Sequence, residues 1–426
     1  MSNQITPTVN NRLSSGSSLA SRAVRAGIDC DSAHGAVTPA LYLSSNYSFA
    51  GFNQPRQYDY SRSGNPTRDL LADALAELEG GAGGVITSTG MSAILLIAHL
   101  VCSDDLIVIP HDCYGGTYRL FTNLAKNGQF KLATVDQNNP QALAQIFKQQ
   151  PKLLWIETPS NPLLRTVDIE KLSKLAHQQA CLVAVDNTFL TPFYQQPLAL
   201  GADIVIHSTT KYINGHSDVV GGCAIAKTEE LAEQLQWWAN CLGITASPFD
   251  SLLTLRGLRT LDARLRVHRE NTQIILDFLA QEPLVTAIYH PSLENHPGHL
   301  VAKKQQKDFG IMLSFELAGD QDTIITFIEN LSVFTLAESL GGVESLVCHP
   351  ATMTHAAMDE TARKTAGISN TLLRLSVGIE HSGDLIADLT NGFSAVRKLQ
   401  KKNVKFIEPA QPVSPLASIL EHQQVG

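Results

Sequence analysis

Between Gly84 and Ala226 the chain repeats one pattern. Short apolar runs of strand length alternate with longer stretches that carry a helical stripe. The runs are Gly84 to Thr87, Leu106 to Ile109, Lys131 to Val135, Leu153 to Glu157, Cys181 to Val185, Ala202 to His207 and Gly221 to Ala226. Helical stretches over Ala93 to Val101, Tyr118 to Asn127, Pro140 to Lys148 and Ile169 to Gln179 separate them. That alternation predicts an α/β fold whose large domain is a mostly parallel, doubly wound sheet. Such sheets gather ligands at the carboxyl ends of their strands. The residues that follow each apolar run therefore decide what the chain does.

Two runs end in reactive groups. Cys181 to Val185 leads into Asp186-Asn187-Thr188, and Ala202 to His207 leads into Ser208-Thr209-Thr210-Lys211. A lysine alone at such a place is ordinarily a solvated loop charge, and an aspartate alone is a turn cap. Together they supply what pyridoxal 5'-phosphate (PLP) chemistry needs, a Schiff-base amine and a carboxylate for the pyridinium nitrogen. A third run is followed by Ser88-Thr89-Gly90-Met91-Ser92 and a helix start, where free backbone N–H groups make a phosphate cradle. After Leu106 to Ile109 comes His111-Asp112-Cys113-Tyr114-Gly115-Gly116, which sets an aromatic face beside two glycines.

The remainder of the chain adds context. Asn65-Pro66-Thr67 opens a helix with stripe residues Leu70, Leu71, Ala74, Leu75 and Leu78, stopped by Gly80-Gly81. Before it, residues 1–64 are predicted to be a polar tail and an irregular arm without a secretory signal. Residues 65–262 are predicted to form the large α/β domain, 263–400 a smaller C-terminal α+β domain, and 401–426 a tail with an apolar patch at Leu416 to Leu420. A single helical stretch is expected from Pro248 through Leu279. Net charge is −8 with no long basic run, which argues against nucleic-acid partners. No apolar run approaches membrane-spanning length, roughly 18 residues. Seven dispersed cysteines without a C-x-x-C pair suit reduced thiols in a cytoplasmic protein, and the 14 histidines form no metal-ligand spacing.

These motifs, in this order, resemble the Cys/Met-metabolism group of PLP-dependent enzymes of fold type I. The likeness covers about residues 22–400. It is carried by Asp59-Tyr60-Ser61-Arg62 with Gly64-Asn65-Pro66-Thr67, the Thr89-Gly90-Met91 turn, the Tyr114 segment, Ser160-Asn161-Pro162, Val185-Asp186-Asn187-Thr188, and His207 to Asp218. Ala337-Glu338-Ser339-Leu340-Gly341-Gly342 and Leu373-Arg374-Leu375-Ser376 complete it. The resemblance implies that Lys211 carries the cofactor, Asp186 keeps its ring nitrogen protonated and Tyr114 stacks on the ring. Gly90, Met91, Ser208, Thr210 and Thr188 would bind the cofactor from the same chain, and Tyr60 and Arg62 would reach the cofactor phosphate of a neighbouring subunit. Arg374, with Ser339 and Asn161, would hold the substrate α-carboxylate; Arg119 and Glu338 are substrate-side groups. One position departs from the pattern, Ser63, where the most similar members carry a second arginine.

Within the group the likeness is to bacterial members that make cystathionine from O-succinyl-L-homoserine, or its acetyl counterpart, and L-cysteine. It implies a homotetramer built as a dimer of dimers with shared active sites. A lyase of the same group, breaking cystathionine or methionine, is the rival reading. A non-catalytic nucleotide-binding α/β protein is a third, but no G-x-G-x-x-G stands in the right strand–helix context, and that reading leaves Lys211 and Asp186 idle.

Overall fold

In the computed structural model, which describes residues 16–356, 363–364 and 366–405, the large sheet has seven strands. They are β1 (Gly83–Thr87), β2 (Leu106–Pro110), β3 (Lys131–Val135), β4 (Leu153–Glu157), β5 (Leu182–Asp186), β6 (Ile204–His207) and β7 (Gly222–Ala226). Their spatial order is β1-β7-β6-β5-β4-β2-β3. The block from β6 to β3 pairs in parallel, and β7 runs against both of its neighbours. Strands β2, β4 and β7 are buried at every position. That is why they read as continuous apolar runs: helices cover both faces of the sheet. Alternate residues feed two cores. Val108, Leu154, Val183 and Val205 pack on one face; Ile107, Trp155, Ala184 and Ile204 pack on the other.

Local chemistry sets the helix ends. Helix α1 (Leu19–Arg25), capped by Ser18, lies where the expected tail meets the expected arm. In α2 (Pro66–Glu79) the Asn65 side chain accepts the Thr67 and Arg68 N–H groups, and Gly80 ends the helix at φ 74°. Helix α3 (Gly90–Ala98) is capped by Thr89. Helix α4 (Gly115–Lys126) begins at the double glycine, earlier than the expected Tyr118. Then follow α5 (Pro140–Phe147), α6 (Ile169–His177), the short α7 (Thr191–Tyr194) and α8 (Glu229–Leu242).

The stretch from Pro248 to Leu279 is two helices, α9 (Pro248–Leu258) and α10 (Leu261–Leu279), not one. The break at Thr260 is fastened from outside. Arg264 donates to the carbonyls of Gly257, Tyr212 and Ile213. A Cβ on Gly257 would lie 2.2 Å from the Asn214 carbonyl oxygen. The kinked pair therefore clamps the loop that follows Lys211. Along α10, Leu261 and Leu265 belong to the large-sheet core, while Ile275, Leu276 and Leu279 belong to the core of a second sheet.

That second sheet holds β8 (Val285–Tyr289), β9 (Met312–Leu317), β10 (Thr335–Leu336), β11 (Leu346–Cys348) and β12 (Leu372–Ser376), in the order β10-β11-β12-β9-β8. Helices α11 (His299–Gln305), α12 (Gln321–Glu329) and α13 (Ser382–Lys405) accompany it. Residues 26–65 carry only isolated bridges, such as Asn46 with Tyr60, and expose Leu43 and Phe52, the latter 96% accessible. The Leu416 to Leu420 patch lies outside the described residues. Among the described residues no helix is long and apolar enough to cross a membrane. All seven cysteines are free.

Candidate active site

The carboxyl ends of β4, β5 and β6 meet the first turns of α3 and α4 around a cavity of about 530 Å³. The segment from Glu338 to Leu340 closes its far side, together with Arg374 of β12. Lys211 projects into it from the loop after β6. Its Nζ donates to Ser339 Oγ at 2.5 Å. Ser339 has φ 79°, a left-handed conformation that costs a non-glycine residue roughly 1–3 kcal/mol. Its carbonyl is held by Arg374 Nη2 at 2.9 Å, while Arg374 Nη1 donates to Asn161 Oδ1 at 2.8 Å. Arg374 is 2% exposed and its Nε has no hydrogen-bond partner. A buried guanidinium with N–H groups left over from these two bonds suits a carboxylate partner.

Electrostatics follow from this packing. Burial lowers the Lys211 amine to about 8, Arg374 pushes it the same way, and Glu338 opposes them. Asp186, at the end of β5, accepts the Thr188 N–H at 2.9 Å. Burial raises its carboxyl, while Thr188 and the nearby His207 hold it down. The His207 ring and Glu79 form a fully buried contact at 2.6 Å behind this strand end, and Asn187 Nδ2 donates to the same Glu79 oxygen.

The cavity has a phosphate-sized end. Gly90 and Met91 open α3, where backbone N–H groups precede the first intrahelical bonds. A Cβ on Gly90 would lie 2.8 Å from Ser208 Cβ, so the close approach of these two cavity-lining segments requires glycine. The Ser208 N–H is held by Thr188 Oγ1 at 2.9 Å. Thr210 also lines this end, with its hydroxyl donating to the Gly221 carbonyl and accepting from the Gly221 N–H. Tyr114 directly precedes α4, is 43% exposed and lines the cavity. A Cβ on Gly116 would lie 2.4 Å from that ring, so the glycine is what lets the ring lie down. An amine, a carboxyl, an aromatic face, a glycine-built anion cradle and an unsatisfied guanidinium fit PLP and an amino-acid substrate together.

Of the residues singled out in the sequence, Gly90, Met91, Tyr114, Asn161, Asp186, Thr188, Ser208, Thr210, Lys211, Glu338, Ser339 and Arg374 line this one cavity. Tyr60, Arg62 and Arg119 do not. Arg119 is exposed on α4. Arg62 lies over the Tyr60 ring at 5.6 Å and lines a separate cavity beside Asn240. Sequence reasoning missed Glu157 and Thr354, which also line the site. Glu157 carried a readable signal: it ends an apolar run with a carboxylate, as Asp186 does one strand later.

The profile of the Cys/Met metabolism PLP-dependent enzymes matches residues 20–394. The chain is 58% identical over 377 residues to cystathionine gamma-synthase of Escherichia coli, covering 88% of this chain and 98% of the relative. It is 45% identical over 372 residues to cystathionine beta-lyase of Lactococcus lactis, covering 87% and 98%. Among solved structures, cystathionine gamma synthase of Xanthomonas oryzae pv. oryzae in complex with aminoacrylate and cysteine superposes with a TM-score of 0.88 at 60% identity, over 90% of this chain and 99% of that one. A large sheet domain with a smaller C-terminal sheet domain is thus the fold type I arrangement, and the chain belongs to the Cys/Met metabolism family of PLP-dependent enzymes.

Proposed function

We propose that the chain catalyses the cystathionine γ-synthase reaction: L-cysteine replaces the succinyl group of O-succinyl-L-homoserine, giving L-cystathionine and succinate. The observation that carries this is the convergence on one cavity of the Lys211 amine, the Asp186 carboxyl and the unsatisfied Arg374 guanidinium. PLP held at Lys211 would supply an electron sink for a carbanion at the substrate Cα. Asp186 would keep its ring nitrogen protonated, and Tyr114 would stack on its ring. Gly90, Met91, Ser208, Thr210 and Thr188 serve the cofactor, with the α3 N-terminus taking the phosphate. Arg374 grips the substrate α-carboxylate beside Asn161 and Ser339, which fixes Cα within reach of Lys211. Released when the substrate amine takes its place on the cofactor, the Lys211 amine would take the Cα proton, pass it to the cofactor and then take a Cβ proton; succinate would leave Cγ with the C–O bonding pair, the cysteine thiolate would add there, and Lys211 would return the protons to Cβ and Cα. A flexible amine lowered to about 8 is suited to both transfers near neutral pH. Glu338 and Arg119 are assigned to the substrate side, Arg119 to the distal carboxylate of the ester.

Tyr60 and Arg62 are assigned to a neighbour's cofactor, because they lie outside this chain's cavity on an arm that exposes Leu43 and Phe52. That assignment requires at least a dimer and fits a dimer of dimers. The domain limits proposed are 65–262 and 263–400, meeting in α10. Seven free cysteines fit a cytoplasmic setting. The likeness to a cystathionine beta-lyase supports a second reading, a lyase. Product analysis separates them. Purified enzyme given O-succinyl-L-homoserine and L-cysteine should release cystathionine and succinate. Failure there, with rapid 2-oxo acid release from cystathionine, would make the chain a lyase. O-Acetyl-L-homoserine in parallel reports the ester preference.

A further inference from the structure

Glu157 is a buried carboxyl that the reaction above does not use. It ends β4, lines the cavity, and stands in register with Asp186 on the neighbouring parallel strand. Register partners on parallel strands point to the same face, with the strands about 4.8 Å apart. Both side chains therefore face the α3–α4 side of the sheet. The two Glu157 oxygens have separate donors. Oε1 accepts the Trp155 indole N–H at 3.0 Å, and Oε2 accepts the Tyr114 backbone N–H at 2.6 Å. Trp155 is fully buried and packs edge-on against Phe121, which lies on α4 two turns beyond Tyr114. The contacts close a ring: α4 to Trp155 through Phe121, Trp155 to Glu157, and Glu157 back to Tyr114, the residue before α4. Burial, with Asp186 beside it, raises the Glu157 carboxyl. A group held in such a costly place is retained for what it fixes.

We propose that Glu157 is a positioning residue for Tyr114: by taking the Tyr114 N–H at the head of α4 it sets the height and tilt of the ring on the wall where the cofactor ring lies. The inference rests on the reading of this cavity as a PLP site. Among the described residues the Tyr114 N–H is held by Glu157, and the Tyr114 side chain adds no capping bond to the first turn of α4. An amide at position 157 keeps the shape but replaces one acceptor oxygen with a donor, so it cannot serve both N–H groups.

The test is a double-mutant cycle read by PLP binding to the apoenzyme, with the visible circular dichroism of the bound cofactor as a second readout. Wild-type apoenzyme should bind PLP and give an induced visible band. Glu157→Gln should weaken PLP binding about fivefold, the usual effect of losing one buried hydrogen bond, and alter the band. In a Tyr114→Ala background the same substitution should change PLP affinity less than about twofold, because its effect passes through Tyr114. Should the amide variant fail to fold, Glu157→Asp repeats the comparison with the carboxylate withdrawn by one methylene. Wild-type affinity and dichroism in the single variant would overturn the proposal, as would an undiminished loss in the Tyr114→Ala background. No PLP binding by the wild type would instead overturn the cofactor reading, and this inference with it.

Discussion

Arg374 offers a perturbation in which geometry and charge separate. One N–H of each Nη is given to Asn161 and the Ser339 carbonyl and the Nε has no partner among the described residues, which leaves donors of the fork for a substrate carboxylate. Arg374→Lys keeps a cation but loses the fork. A hydrogen bond to a charged group is worth about 1.5–3 kcal/mol, so kcat/KM for the acylated homoserine should fall roughly 10- to 150-fold. The loss should lie mainly in KM, since the carboxylate is held alike in ground and transition states. Arg374→Gln removes the charge as well, and so reaches Lys211. A nearby cation disfavours the protonated amine; without it the Lys211 amine should rise above about 8, and less of it is neutral at a given pH. The assay pairs initial rates across substrate concentration with the pH dependence of PLP capture by apoenzyme, followed by visible absorbance. In Arg374→Gln the midpoint of capture should move to higher pH; in Arg374→Lys it should stay near that of the wild type. A Lys variant within threefold of wild-type kcat/KM, or a Gln variant with an unmoved midpoint, would refute the reasoning.

Other outcomes follow from the same geometry. Lys211→Ala should abolish the yellow covalent cofactor band and lower turnover by roughly 10³-fold or more, measured by product release; turnover within tenfold of wild type would remove Lys211 from the mechanism. Gly90→Ala drives a Cβ to 2.8 Å from Ser208 Cβ, so it should both weaken PLP binding to apoenzyme and lower the apoenzyme melting temperature; wild-type values of both would refute the close approach. Glu79→Ala strips His207 and Asn187 of a buried partner and should cost about 3 kcal/mol in denaturant unfolding, whereas an exposed carboxylate such as Glu233 should cost next to nothing. Lys211→Ala and Arg62→Ala subunits, each inactive alone, should regain activity when refolded together, because one site of the mixed dimer then carries neither change; no recovery would return Tyr60 and Arg62 to a purely local role.

The parts of the site that were legible in the sequence are those written within a few residues of a buried strand. A fully buried strand must be apolar until it leaves the sheet, so the first polar groups after it stand out, and Asp186, Ser208 and Lys211 were read that way. Gly90 and Met91 were legible because a glycine-rich turn before an apolar helix is a local object. What escaped depends on partners far along the chain. Tyr114 heads a helix that starts early because Glu157, 43 positions on, holds its N–H. The break at Thr260 exists because Arg264 fastens it to carbonyls near residue 212. Strands β10 and β11 are two and three residues long and have no periodicity to read. Glu157 is the instructive case. In the sequence it is merely the polar end of an apolar run. Only the pairing of β4 with β5 sets it opposite Asp186 and brings it to the cavity. Strand ends in a parallel sheet are equivalent in sequence but not in space. Those on central neighbours converge, and those at the sheet edge, such as Val135 of β3, contribute nothing to the cavity. Strand order, which no local pattern encodes, therefore selects which polar ends become an active site, and β4, β5 and β6 are selected because they lie side by side.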